Sequence, residues 1–247
     1  MALPKRLPAP VCLGGDPKSS SSEKPFVLLA SGVRTVSFLR VQVYVVALYV
    51  DEAAYKKHTS SPTSKKAAEE GSTQAFISHL LSSGEVPCIL RVAPTRNTDF
   101  GHLRDGFGRA VQARVKVVRK ALQQAQKDGA GGLEGAAAEF ASSLLPSEEE
   151  EQALADGMQA LRECFPKASL QKGQTLDLVF HPSPREGGVD LTLEHDGAIM
   201  GSLKHDGRAK QVLDVAKLLM EAYVAEKDPV SGVFKQALSE KLFSSTS

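Results

Sequence analysis

Residues Ser31–Val50 read SGVRTVSFLRVQVYVVALYV, a nearly continuous run of β-branched and aromatic residues whose polar members Arg34, Arg40, Gln42 and Tyr44 all fall on even positions. Successive side chains of a strand point to opposite faces, so a regular strand here buries Val41, Val43 and Val45 and turns the polar set the other way. Two readings of that polar parity stand: a ligand-binding face, or the half-solvated side of an antiparallel sheet. Ten residues separate Arg34 from Tyr44, about 33 Å in a straight strand, so either the chain turns between Thr35 and Arg40 or the two residues serve different ends of a long cleft.

Outward from this stretch, Phe26–Ala30 predicts a strand leading in through Ser31-Gly32, and residues 1–24, rich in Pro, Gly and Ser, read as a disordered arm ahead of a single domain over 25–247. The segment Lys56 to Ser72 reads as an exposed loop, Thr73–Ser82 as a helix, and Cys88–Ala93 as a strand stopped by Pro94. Phe100, Leu103, Phe107, Val111, Val115, Val118 and Leu122 recur at spacings of three and four, the apolar stripe of a long helix. Further helices are expected at Leu133–Leu144 and at Glu148–Phe165, the latter capped by Ser147 with four glutamates at its positive end. Alternating runs around Leu176, Val189 and Ile199 predict antiparallel strands, with Asp196-Gly197 as a tight hairpin turn. Two closing helices follow, one around Val212–Tyr223 and one around Phe234–Leu242. Strands and helices come in segregated runs, so the fold class is α+β with a large antiparallel sheet.

The 247 residues carry a formal net charge of +1 and 42% hydrophobic residues, which leaves no overall drive toward nucleic acid or an anionic membrane; either partner needs a local patch, and none dominates the sequence. The three cysteines Cys12, Cys88 and Cys164 are far apart and match neither a disulfide framework nor a zinc site. The opening MALPKRLPAPVCLGG is not a secretory signal, and the longest apolar stretch, Val41–Val50, is too short to span a bilayer. No GxGxxG, Walker, HExxH or GxSxG motif is present.

The chemically suggestive segment is TRNTDFGHLRDGFGRA, Thr95–Ala110. Glycine costs a helix about 1 kcal/mol relative to alanine, so Gly101, Gly106 and Gly108 invite close approach to the backbone. His102, Gly106 and Arg109 fall along one stripe, where a flat ligand could lie on Gly106, meet the imidazole, and offer a carboxylate to the guanidinium. The alternative is a surface histidine beside an Arg104-Asp105 ion pair. His58, His79, His181, His195 and His205 are expected on the surface.

GVRTVSFLRVQVYVVALYVDE, TRNTDFGHLRDGFGRA, HDGAIMGSLKHD and the Tyr223–Ser231 segment together resemble the chalcone isomerase superfamily over about Phe26–Leu242, and most resemble its fungal mitochondrial "altered inheritance of mitochondria" members. The resemblance implies an open-faced β-sandwich, a large antiparallel sheet packed against a layer of helices, and a mitochondrial location. It places the family's GxR arginine on Arg34. Tyr44 falls on the strand position of the plant catalytic threonine, near the carboxylate-binding tyrosine of the fatty-acid-binding relatives. The plant helix's tyrosine and asparagine fall on Phe100 and Phe107, and the late substrate-contacting threonine near Ala222. Cyclisation needs donors aimed at a developing enolate, and phenylalanine has none. The resemblance therefore implies a non-catalytic binder with vestigial positions Arg34, Tyr44, Phe100, Phe107 and Ala222. Haem b is the leading ligand by resemblance, with His102 on the iron and Arg34 near a propionate. Alternatives are a fatty acid held by Arg34 and Tyr44, or a retained isomerase (intramolecular lyase) activity. The expected partner is a small apolar or carboxylate-bearing ligand, with no nucleic acid and no membrane span.

Overall fold

In the computed structural model, a two-residue strand β1 (Arg6–Leu7) precedes β2 (Phe26–Val36) and β3 (Val41–Asp51), so Ser31–Val50 is two strands of a hairpin rather than one. The described residues are 3–15, 25–36, 41–62, 72–130, 146–185, 188–208 and 213–243. β2 and β3 pair antiparallel, with register shifts at Leu28/Ala30 and Arg34/Thr35, and the pairing sets Arg34 directly opposite Tyr44. The parity expected from a regular strand is reversed. Tyr44, Val46, Leu48 and Val50 are buried on the helix-covered face, whereas Val41, Val43 and Val45 are only half-buried. The reason is that the Tyr44 hydroxyl finds partners inside, so its ring counts as core.

After β3 the chain forms α1 (Glu52–Thr59), α2 (Thr73–Ser83), β4 (Cys88–Pro94), β5 (Thr98–Asp99) and α3 (Phe100–Ala130). It continues through α4 (Glu148–Glu163), β6 (Ser169–Leu170), β7 (Leu176–Pro182), β8 (Val189–His195), β9 (Ala198–Leu203), α5 (Val215–Val224) and α6 (Gly232–Phe243). One seven-stranded sheet has the order β1-β2-β3-β4-β7-β8-β9, and its paired neighbours are antiparallel; β5 and β6 form a small separate pair. The α+β class and the open-faced sandwich expected from the sequence hold. Ser147 and Glu150 exchange side-chain and backbone hydrogen bonds in a capping box at the start of α4. Asp196 and Gly197 both take positive φ, 48° and 76°, in the two-residue turn from β8 to β9.

Three expectations change. The loop expected from Lys56 begins as helix, because Asp51 accepts the Ala54 N–H at 2.8 Å and Glu52 pairs with Lys56 one turn later at 2.7 Å. The arm expected to be disordered is built over residues 3–15: β1 pairs with β2, and Glu194 accepts the N–H groups of Val11 (3.1 Å) and Cys12 (2.7 Å). The surface placement of His58 and His205 also fails. His58 is buried and stacks with His79 at 5.2 Å, and the His205 Nδ1 meets Asp214 at 2.9 Å in a buried pair. Asp214 raises the His205 pKa chiefly by that hydrogen bond, against the opposing effect of burial. The helix expected at Leu133–Leu144 lies outside the described residues.

The main core sits between the sheet and the helices, with Phe76, Ile77, Phe107, Leu161, Leu219 and Phe234 facing Val46, Leu90, Leu178 and Leu193. A second apolar cluster lies on the opposite sheet face, where Phe26, Ala47, Tyr49, Ile89 and Val179 are covered by Leu7 and by Leu3, Ala9, Cys12 and Leu13 of the arm. Inside the helix layer, Glu221 of α5 receives Arg114 of α3 at 3.3 Å and Ser78 of α2 at 2.7 Å, which joins three helices through one carboxylate. Helix α6 is fastened to β2 by Ser231, whose hydroxyl donates to the Val33 carbonyl at 3.0 Å and accepts the Phe234 N–H at 3.2 Å.

Candidate functional site

The end of the β2–β3 hairpin and the first turns of α3 enclose a cavity of about 280 Å³, lined by Arg34, Val36, Val43, Tyr44, Arg96, Thr98, His102, Leu103, Asp105, Gly106, Phe107 and Arg109. Every ligand-binding residue expected from the sequence therefore faces one space. The hairpin supplies Arg34 and Tyr44 as cross-strand neighbours, and the helix supplies His102, Gly106 and Arg109 from successive turns on one side. Asp99 starts that helix by accepting the Gly101 N–H at 2.6 Å.

At the deep end, Arg34 Nη1 donates to the Tyr44 hydroxyl at 3.0 Å, and the Tyr44 hydroxyl lies 2.8 Å from that of Tyr223. The Arg34 guanidinium also sits 5.6 Å from the centre of the Tyr44 ring. Tyr44 is 3% exposed and Tyr223 0%, and burial raises both phenol pKa values, most strongly for Tyr223. Both hydroxyls thus stay protonated. A guanidinium has five N–H donors, and the bond to Tyr44 uses one, so Arg34 is oriented while keeping donors for a ligand. Tyr223 escaped notice in the sequence because it belongs to the apolar stripe of α5; a phenol in such a stripe signals a polar partner deep in the core.

Arg96 and Arg109 join Arg34 in lining the cavity, against the single carboxylate of Asp105. Asp105 is occupied by Arg104, which donates at 2.9 Å and keeps the carboxyl below its ordinary pKa. The ion pair and the pocket-facing histidine therefore coexist. His102 is exposed, and a Cβ built on Gly106 would meet nothing within 4 Å, so the helix presents bare backbone to the cavity there. Arg96 lies in the turn after β4; a lone arginine among polar loop residues carries no sequence signal of its role.

Phe100 and Phe107 are each 1% exposed and pack around Phe165, at 6.4 and 5.9 Å between ring centres. Phe107 closes the cavity floor as an apolar wall and offers no donor. Ala222 does not line the cavity; it is buried in α5, and its carbonyl accepts the Val230 N–H at 2.8 Å. Among the described residues no group of three or more His, Cys, Asp or Glu could hold a metal ion, and no helix is long and apolar enough to cross a membrane.

Similarity to known proteins agrees with this architecture. An Altered inheritance of mitochondria protein 18, mitochondrial, of Debaryomyces hansenii is 24% identical over 87% of this chain and 65% of its own length. The chain thus spans just under two thirds of that relative. The protein of the same name from Eremothecium gossypii is 26% identical over 96% of this chain and 72% of its own length. Among solved structures, the Arabidopsis thaliana fatty-acid binding protein AtFAP1 superposes with a TM-score of 0.55 at 16% identity, covering 97% of this chain and 98% of that one. That likeness establishes the fold. The fungal relatives are named as mitochondrial proteins, and this chain is assigned to mitochondria with them. The family described as "Chalcone isomerase like" matches residues 24–239, nearly the whole span from β2 to the end of α6, and the chain belongs to that family.

Proposed function

We propose that the chain binds, without converting, an apolar molecule that carries a carboxylate, with a fatty acid as the simplest ligand of that class. The observation that supports this reading is Arg34, held by the buried Tyr44–Tyr223 pair and turned into a cavity with an apolar side of Val36, Val43, Leu103 and Phe107. The carboxylate meets Arg34 with the Tyr44 hydroxyl alongside, and Arg96 and Arg109 hold the field at the opening positive. A structural relative of the same fold is named as a fatty-acid binding protein. In a titration of delipidated protein with a fluorescent fatty acid, Arg34→Gln weakens binding by about 10- to 100-fold, the value of one hydrogen bond to a charged group. Equal affinities for the two proteins would sink the assignment. The Gln variant is compared at matched circular dichroism, so a folding defect is not scored as lost binding.

A second reading, haem, is favoured by a separate observation: His102, Gly106 and Arg109 line this cavity together, and Gly106 leaves its backbone open. The imidazole of His102 would ligate iron, and Arg34, Arg96 and Arg109 would receive propionates. The group would supply a redox-active iron centre, and the chain's part is to hold it and neutralise its acids. On titration with haemin, His102→Ala removes a Soret band that the unaltered chain develops. A chain that develops no such band excludes haem and leaves the fatty-acid reading standing.

A further inference from the structure

The net charge of the chain is +1, yet the longest helix gathers its outward cations onto one line. Arg109, Lys116, Lys120 and Lys127 are all exposed on α3. At about 100° per residue they fall within roughly 40° of one another around the helix axis, and His102 joins them at the cavity end. From His102 to Lys127 the row is about 37 Å long. Among the described residues Lys116, Lys120 and Lys127 have no ion-pair partner, and Arg109 has only Asp105 one turn away, a carboxylate already bonded to Arg104. Arg114 and Arg119 of the same helix, by contrast, are tied to Glu221 and Glu151. The sequence shows no such patch because the spacings of seven, four and seven residues become a row only when the chain is helical.

We infer that this row is a docking surface for an anionic bilayer. Three features choose a membrane over a nucleic acid or an acidic protein. The charges are mostly lysines, compact point cations without the planar fork that reads phosphate or carboxylate geometry. The exposed positions between them are Gln112, Ala113, Val117, Ala121, Gln123, Gln124 and Ala125, with no aromatic ring for a base to stack on. Val117 is 52% exposed beside the row, an apolar group at the level where lipid headgroups give way to acyl chains. The apolar face of α3 is already committed to the core through Phe107, Val111 and Val115, so the helix cannot sink into the membrane. Attachment is therefore electrostatic, peripheral and sensitive to salt. The row ends at Arg109 and His102, so a docked chain brings the mouth of the cavity close to the lipid surface.

The test is co-sedimentation with vesicles of phosphatidylcholine, with or without phosphatidylserine. The triple variant Lys116→Gln, Lys120→Gln, Lys127→Gln leaves Arg109 and the cavity intact. A control variant, Lys5→Gln, Lys57→Gln, Lys241→Gln, removes the same charge from exposed sites elsewhere. Each lysine near an anionic surface contributes about fivefold in affinity, so the triple variant binds phosphatidylserine vesicles roughly 100-fold more weakly, while the control binds as the unaltered chain does. Raising the salt abolishes binding. The inference is overturned if the chain ignores phosphatidylserine vesicles, if it binds neutral vesicles as well, if both variants lose binding equally, or if it retains single-stranded RNA and not vesicles. No ligand takes part in these measurements, so the outcome is independent of whether the cavity holds a fatty acid or haem.

Discussion

Replacing Gly32 by alanine is expected to lower stability by more than about 3 kcal/mol, through the one mechanism a side chain cannot relax, contact with backbone. A Cβ at Gly32 would stand 2.3 Å from the amide nitrogen of Phe234 and 2.5 Å from its Cα, so α6 must lift from β2. That movement would strain the Ser231 bonds to Val33 and Phe234 and shift Phe234 from its edge-on contact with Tyr223 at 6.2 Å. For a chain of this size the melting temperature falls on the order of 10 °C. Gly106→Ala is the internal contrast. Its new methyl meets nothing within 4 Å, and alanine is the better helix former, so it gains up to about 1 kcal/mol. A Gly32→Ala protein that melts within a degree or two of the unaltered chain would show that α6 is not seated as described.

Phe107→Ala should cost about 3 to 5 kcal/mol in chemical denaturation, the usual range for emptying a phenylalanine site in a core. Phe107 is packed against Phe165 and lies in the same cluster as Phe100, Leu103 and Val111, so neighbours on a long helix cannot collapse into the gap. The space it leaves adjoins the cavity that it lines, and the two should merge. Added apolar molecules that fit the gap then restore part of the lost stability in the variant and leave the unaltered chain unchanged. Measured losses below about 1 kcal/mol would mean that the ring is not core.

Much of the architecture is legible in the sequence because it rests on periodicity. The three- and four-residue spacing from Phe100, the alternation around Leu176 and Val189, and the Asp-Gly turn at 196 each follow from one local rule. Register and facing are harder. Nothing local decides whether the run from Ser31 folds back; the straight-strand distance leaves a turn between Thr35 and Arg40 or two ends of a long cleft, and the register that sets Arg34 opposite Tyr44 selects the turn. Parity misled for a related reason: polarity was equated with exposure, whereas the Tyr44 hydroxyl is satisfied inside by Arg34 and Tyr223. His58 and His205 behave the same way, since their partners His79 and Asp214 stand elsewhere in the chain and only folding brings them into contact. In the cavity, the helix residues His102, Gly106 and Arg109 are readable from spacing alone, but Arg96 comes from another element, and Tyr223 reaches the Tyr44 hydroxyl from behind the cavity; only topology brings them there.

The arm on the outer sheet face bears on where this domain starts. The family match begins at residue 24, two residues before β2. Yet Leu7, with Leu3, Ala9, Cys12 and Leu13, roofs the cluster of Phe26, Ala47, Tyr49, Ile89 and Val179, and Glu194 clasps the roof through two consecutive amides. Cutting the chain where the family match starts would leave Glu194 without its two donors and five large or tightly packed apolar side chains facing water. The stretch matched by the family and the stretch that covers the outer sheet face are thus bounded at different residues.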